Sequence, residues 1–261
     1  MQPFLSHWPK PVKAVVFRLA GIHQGNQVLE RAWREDQGAG RLITRLLANQ
    51  GVTVTVEGME HLEGLTAPGV LIAGNHPHGL IDALALASLA EQSGREFTML
   101  ARHFLTIFER LRPHLIPLQV DARQRAANGR QQFHAAVTAL EQGKAVIITP
   151  GGRLSLPPAP GQPAEDPPWR TGVVRMARAA QVPILPVTIQ LTVPNWVYRL
   201  HAVHPIVRSI AQVLRLLRRH PEYLTLRLHA PVWPQDLPAD DQEAIRQLQT
   251  TVCGQATANR R

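Results

Sequence analysis

The stretch Val70-Leu-Ile-Ala-Gly-Asn-His-Pro-His-Gly-Leu-Ile-Asp-Ala-Leu-Ala-Leu86 constrains this chain more than any other. Its first four residues are apolar without interruption, which reads as a buried strand. Residues 84–90, Leu-Ala-Leu-Ala-Ser-Leu-Ala, read as a helix. Between the two lie Asn75, His76, Pro77, His78 and Gly79. Two histidines and the carboxylate of Asp82 are thereby placed at a strand-to-helix turn, near the carboxyl end of a strand. In open α/β sheets ligands bind there.

The rest of the chain repeats that alternation. Strands are expected at 52–56, where Val and Thr alternate strictly, and at 97–101, 115–120, 144–149, 184–190 and 223–229. Pro117 puts the 115–120 strand at or near a sheet edge. Helices are expected at 103–111, 121–141, 171–180, 203–219 and 240–252, with 58–69 as a turn region. Residues 1–50 read as helical, with breaks at Pro9, Pro11 and 21–26. The expected fold is α/β: a mixed, largely parallel sheet flanked by helices, with an N-terminal helical extension. Two regions follow, a helical and membrane-contacting 1–50 and an α/β catalytic region at 51–261. Trp8, Phe17 and Trp33 with Lys13, Arg18 and Arg31 would form the membrane-facing seat of the first region. No internal repeat is visible.

At 261 residues the chain is long enough for a full core. Its formal charge of +9 implies an anionic partner, whether nucleic acid, an acidic membrane surface or a phosphorylated substrate. No motif that reads a groove or stacks on bases accompanies the charge, so nucleic acid is not expected. No apolar run approaches the roughly 18 residues of a membrane span. The short apolar piece at 14–17 is interrupted by Arg18 and lacks the apolar core of a signal peptide. A single cysteine, Cys253, excludes an intramolecular disulfide and a cysteine zinc site.

A histidine is suited to take a proton from a hydroxyl near neutral pH. A carboxylate bonded to its other ring nitrogen sets the tautomer and steadies the imidazolium that forms. His76 and Asp82 fit those roles if the loop folds the Asp back under the His. An Asp at a helix start also serves as an N-cap or as a first-turn charge meeting the helix dipole. The stretch holds no Ser or Cys nucleophile before the helix, so the hydroxyl to be activated belongs to a substrate.

Asn75-His76-Pro77, then Gly79-Leu-Ile-Asp82 and an Ala/Leu helix, resembles the first motif of the glycerolipid acyltransferases, which include the 1-acylglycerol-3-phosphate (lysophosphatidate) acyltransferases. That family usually has four residues between His and Asp. Here five separate His76 from Asp82 and three separate His78 from it. His76 is the preferred base, because Asn75 and Pro77 match branches with the longer spacer; Asn75 and His78 are supporting candidates.

Three later blocks extend the resemblance over about 52–187. Ile116-Pro-Leu-Gln-Val-Asp-Ala-Arg123 is similar to the second motif, whose Arg is credited with the acceptor phosphate. Arg123 is the match and Arg125 the reserve; an Arg at a helix head can make a forked contact to phosphate. Ile147-Ile-Thr-Pro-Gly-Gly-Arg-Leu-Ser155 resembles the third motif, Phe-Pro-Glu-Gly-Thr-Arg-Ser, through Pro150, Gly152, Arg153 and Ser155. Consecutive glycines after a strand can converge their N–H groups on an anion. Gly151 stands where the family has Glu, a residue that helps organise the phosphate loop there. Trp169-Arg-Thr-Gly-Val-Val-Arg-Met-Ala-Arg178 and Val182-Pro-Ile-Leu-Pro-Val187 resemble the fourth block, whose prolines would shape a strand at the acyl end of a pocket. The Pro-rich 156–168, with Glu165 and Asp166, reads as an extended loop able to cover the site. In the 203–219 helix, Arg208, Arg215, Arg218 and Arg219 are candidates for anionic lipid headgroups.

The resemblance implies an acyltransferase that uses acyl-CoA or acyl-carrier protein as co-substrate, with no metal and no other cofactor. His76 and Asp82 would be catalytic, and Arg123, Gly152 and Arg153 would hold the substrate phosphate. The acceptor would be a lysophospholipid or another phosphorylated alcohol, met at an anionic membrane surface from the cytoplasmic side by a peripheral protein. The departure at Gly151 leaves a second expectation standing, a non-catalytic lipid-binding relative.

Overall fold

The computed structural model describes residues 21–118, 125–159, 162–203 and 205–258. Trp8, Lys13, Phe17, Arg18 and Arg123 lie outside the described residues, as does the side chain of Arg125.

Seven strands make one sheet: β1 (Val52–Glu57), β2 (Val70–Gly74), β3 (Phe97–Arg102), β4 (Leu115–Leu118), β5 (Ala145–Ile148), β6 (Ile184–Leu191) and β7 (Glu222–Leu228). Their order is β1-β7-β6-β2-β5-β3-β4, and β6–β7 is the antiparallel pair in an otherwise parallel sheet. The expected mixed, largely parallel sheet is thus what forms. Pro117 lies on the edge strand β4, where a missing N–H costs no ladder bond.

The helices are α1 (Ile22–Asp36), α2 (Leu42–Asn49), α3 (Glu60–Glu63), α4 (Leu80–Gln92), α5 (Arg125–Glu141), α6 (Gly172–Ala180), α7 (Asn195–Val203), α8 (Pro205–Leu217) and α9 (Asp241–Ala258). They cover both faces, and the central strand shows why its sequence is apolar throughout. Val70 and Ile72 join one buried cluster with Leu29 of α1, Ile43 of α2 and Leu86 of α4. Leu71 and Ala73 point the other way, to Leu140 of α5, Val174 of α6 and Ile245 of α9. A strand with a core on each side cannot alternate with polar residues. Burying one such aliphatic side chain contributes about 1.5–3 kcal/mol. Buried Glu91 of α4 accepts the Ile43 and Thr44 N–H groups at 2.8 Å each, capping α2 and tying it to the layer beneath.

Three sequence expectations need correction. Residues 103–111 do not form an α-helix: 3₁₀ turns at His103–Ile107 and Arg112–His114 replace it. Thr106 bonds back to the His103 carbonyl at 2.8 Å, and Pro113 has no N–H with which to propagate a helix. The expected 58–69 turn contains one helical turn, α3. The helix expected at 203–219 forms as α8, but a separate helix, α7, precedes it from Asn195, where none was expected.

Candidate active site

Parallel strands β2, β3, β4 and β5 end on the same side of the sheet, and a cavity of about 920 Å³ opens over their carboxyl ends. Each strand end delivers a residue to its wall: His76 after β2, Arg102 from β3, Leu118 from β4, and Thr149, Pro150, Gly152 and Arg153 after β5.

The His76 turn is held by carboxylates. His76 Nδ1 lies 3.0 Å from Asp82 Oδ2, and the same oxygen accepts the N–H groups of His78 at 2.9 Å and Gly79 at 2.7 Å. With two backbone donors already on that oxygen, the ring nitrogen facing it is the third donor. Nε2 is then the lone-pair nitrogen. The side chain of Asp82 is 0% exposed and that of His76 19%, so the carboxylate is dry while the imidazole reaches the cavity. Helix α4 starts at Leu80 rather than at 84, which puts Asp82 in its first turn. The longer His–Asp spacer is accommodated by Gly79, whose φ of +126° suits a residue without Cβ. A Cβ there would also approach Gln212 Oε1 at 3.2 Å and Leu154 Cδ2 at 3.3 Å.

His78 sits behind the turn, not on the cavity wall. It is buried, its Nδ1 has no partner among the described residues, and burial pushes its imidazole below the ordinary histidine value, Asp82 and Glu222 only partly offsetting this. Its N–H, not its ring, makes the hydrogen bond to Asp82. Asn75 pins the turn to β6, its side chain donating to the Ile189 carbonyl at 3.0 Å and accepting the Ile189 N–H at 2.6 Å.

Part of the lining is cationic. Arg102, Arg153 and Arg170 line the cavity, and none has an ion pair or side-chain hydrogen bond among the described residues. Burial, with Arg153 beside it, lowers the Arg102 guanidinium from its usual value. His201 adds a nearby imidazole, lowered by burial and by Arg208 and Arg102. Gly152 contributes differently from the expected nest. Its N–H closes a turn on the Thr149 carbonyl at 3.0 Å, and its φ of +65° makes that turn possible. A Cβ there would lie 3.6 Å from the Arg170 guanidinium carbon, an ordinary contact, so the backbone and not the cation asks for glycine. The rest of the wall is largely apolar, with Leu80, Leu100, Phe104, Leu105, Phe133 and Met176 among its residues.

Helix α8 faces inward where lipid contact was expected. Arg208 is 0% exposed and donates to the Pro77 carbonyl at 2.9 Å, and Gln212 donates to the His78 carbonyl. Arg215 pairs with buried Glu222. Arg218 and Arg219 remain exposed beyond the end of the helix. Trp33, expected on the membrane face, has Arg110 stacked 3.6 Å over its ring. The prolines of 182–187 do not line the cavity; Gly172, Val173 and Met176 of the preceding helix do. Arg175 and Arg178 turn away to pair with Asp241.

Sequence reasoning missed Arg102, and it quoted Arg170 in the fourth block and Asp166 in a covering loop without giving either a role. Arg102 ends an apolar strand, a signal that was available. Asp166 carried none, being 90 residues from the backbone it holds: its Oδ1 accepts the His76 N–H at 3.1 Å.

The model of the acyltransferase family matches residues 53–190, just over half of the chain. No curated protein matches the sequence. Among solved structures, the crystal structure of the 1-acyl-sn-glycerophosphate (LPA) acyltransferase PlsC from Thermotoga maritima is similar, with a TM-score of 0.56 at 17% identity over 95% of this chain and 93% of that one. At that identity the likeness shows a common fold.

Proposed function

Because this chain belongs to the acyltransferase family, we propose that it moves a fatty acyl group from an acyl thioester to the hydroxyl of a lysophospholipid or glycerol-phosphate acceptor. The observation that carries the reading is the His76 Nδ1–Asp82 Oδ2 contact at 3.0 Å, with the ring on a cavity that three arginines also line. His76 Nε2 takes the proton of the acceptor hydroxyl while Asp82 holds the ring and stabilises the imidazolium. The oxygen attacks the thioester carbonyl, a C–O bond forms, and the C–S bond breaks. The proton passes from Nε2 to the departing sulfur, so the dyad ends as it began. Arg102, Arg153 and Arg170 receive a phosphate, and the apolar wall receives the chain.

The donor is acyl-CoA or acyl-carrier protein, and the chemistry asks for no metal or further cofactor. An acceptor of the 1-acylglycerol-phosphate type is favoured by its phosphate, which matches three guanidiniums that have no ion pair among the described residues. No described helix is long and apolar enough to cross a membrane. The protein is accordingly proposed to work peripherally, at an anionic surface on the cytoplasmic side, with 1–50 as contact region and 51–261 as catalytic region.

The test is release of free thiol from acyl-CoA across a panel of lysolipid acceptors. The expected result is turnover with a lysophosphatidate-type acceptor that His76→Ala reduces by about 10²–10⁴-fold. Gly151, where the family has Glu, favours the rival reading of a non-catalytic lipid-binding relative. Absence of thiol release with every acceptor and with either donor would select the rival.

A further inference from the structure

Residues 156–159 follow the Gly-Gly turn, and 162–167 return beside it. Leu156 and Glu165 exchange backbone hydrogen bonds at 3.0 Å each, which brings Asp166 and Pro167 against the turn. Asp166 there spends both carboxylate oxygens on neighbours. Oδ1 accepts the His76 N–H at 3.1 Å and the Ser155 hydroxyl, and Oδ2 accepts the Trp169 indole N–H at 2.9 Å. Ser155 in turn donates its N–H to the His76 carbonyl at 2.8 Å. The His76 main chain is thus gripped on both sides by a closed ring of three residues.

Position 151 shows what the carboxylate replaces. A Cβ on Gly151 would meet Pro167 at 3.2 and 3.3 Å, and Asp166 Oδ2 would be 3.5 Å away. The space into which a side chain at 151 would grow is therefore bounded by the Pro167 ring, with the Asp166 carboxylate just beyond it. Gly151 φ is not in the left-handed region, so the backbone itself does not demand glycine there.

We propose that Asp166 is a positioning residue for acyl transfer, its carboxylate fixing the His76 main chain from the strap at 162–167 in place of a side chain at the glycine-occupied position 151. The proposal rests on His76 being the base. Asp82 orients the imidazole and Asp166 orients the peptide that carries it. Both are needed, since displacement of a reacting group by about 1 Å costs on the order of 10²-fold in rate.

The experiment compares wild type, Asp166→Ala, Gly151→Glu and the double variant, with His76→Ala alongside, by steady-state thiol release and by hydrogen exchange at the His76 amide. Asp166→Ala is expected to lower kcat by about 30–100-fold with both KM values moved less than about threefold, and to speed exchange of the His76 amide. Gly151→Glu alone is expected to lower kcat, because its carboxylate is forced against Asp166. In the Asp166→Ala background it is expected to recover about tenfold of kcat and slow the amide again. A structural filler would show no such recovery. The proposal is overturned if Asp166→Ala keeps kcat within about twofold of wild type, or if the double variant is no better than Asp166→Ala at equal Tm. Should Asp166→Ala fail to fold, Asp166→Asn, of the same shape, carries the same expectation in kcat and amide exchange. If His76→Ala stays active, or wild type turns over nothing, the functional reading falls, and amide exchange alone then judges whether Asp166 holds that peptide.

Discussion

The two walls of the cavity are built on opposite principles. Around His76 the turn is held by bonds already made within the protein. Asp82 Oδ2 takes three donors, and the carbonyls of Pro77 and His78 are held by Arg208 and Gln212. Elsewhere in the lining Arg102, Arg153 and Arg170 have no ion pair among the described residues. The first arrangement suits a group that must not move while it transfers a proton. The second suits a group awaiting an anion, since a cation already paired would have to surrender its partner before binding a phosphate. Stability and binding are thereby assigned to different parts of one cavity.

The sharpest test of that division is a pair of substitutions on the first wall. His76→Ala should remove about 10²–10⁴-fold of kcat/KM with little change in Tm, because the ring is only a partner to Asp82. Asp82→Ala should lose comparable activity and stability as well. It orphans the His78 and Gly79 N–H groups, at about 1–3 kcal/mol each where they are buried. Urea denaturation beside thiol-release kinetics distinguishes the two outcomes; equal stability losses would break the comparison.

Next in size is the cationic wall. Arg153→Ala should raise the KM for a phosphorylated acceptor about tenfold, leave kcat within about threefold, and leave stability unchanged or slightly raised. The last expectation follows from relief of the repulsion between Arg153 and Arg102. An uncharged lysolipid acceptor should be insensitive to the substitution. A fall in kcat alone would mean that Arg153 serves the chemistry rather than the phosphate.

The smallest effect is a pH dependence behind the first wall. Burial keeps the folded-state pKa of His78 below its ordinary value of 6.5. Above about pH 6.5 both states hold a neutral ring and the contribution is complete. As pH falls below that value the unfolded chain takes up a proton that folded His78 refuses, and stability is lost. His114, His201 and His229, all lowered first by burial, add in the same direction. His78→Gln should flatten part of the decline in the urea midpoint between pH 7.5 and 5, without adding stability at neutral pH through this route. An unchanged slope would sink the assignment.

What was legible in the chain follows from how local each signal is. His76 and Asp82 share one strand–turn–helix unit, so their contact could be anticipated from spacing and secondary structure. Gly152 and Arg153 directly follow an apolar strand and inherit its direction. The uninterrupted apolar runs of β2 and β5 announced strands with a core on both faces, and that gave the fold class. Alternating helices and strands did the rest. By contrast, Arg208 and Arg215 looked like a lipid-facing row because their helix is strongly amphipathic, and both proved to serve interior partners. An amphipathic pattern tells which residues share a face, not what that face meets. The 103–111 segment failed for a different reason: a short run near Pro113 lacks the length to sustain an α-helix without tertiary help.

The sequence by itself determined the α/β alternation, the turn that presents an imidazole to a carboxylate, and the glycines that let the chain pass close to them. Periodicity and near-neighbour spacing suffice for these, because each is settled within one or two adjacent elements. Only the tertiary structure decided which cations share the cavity with the imidazole, that α8 bonds to the turn, and that Asp166 arrives beside Gly151. Those arrangements join residues up to 134 positions apart. The order of strands in the sheet brings them together, and no local pattern encodes that order.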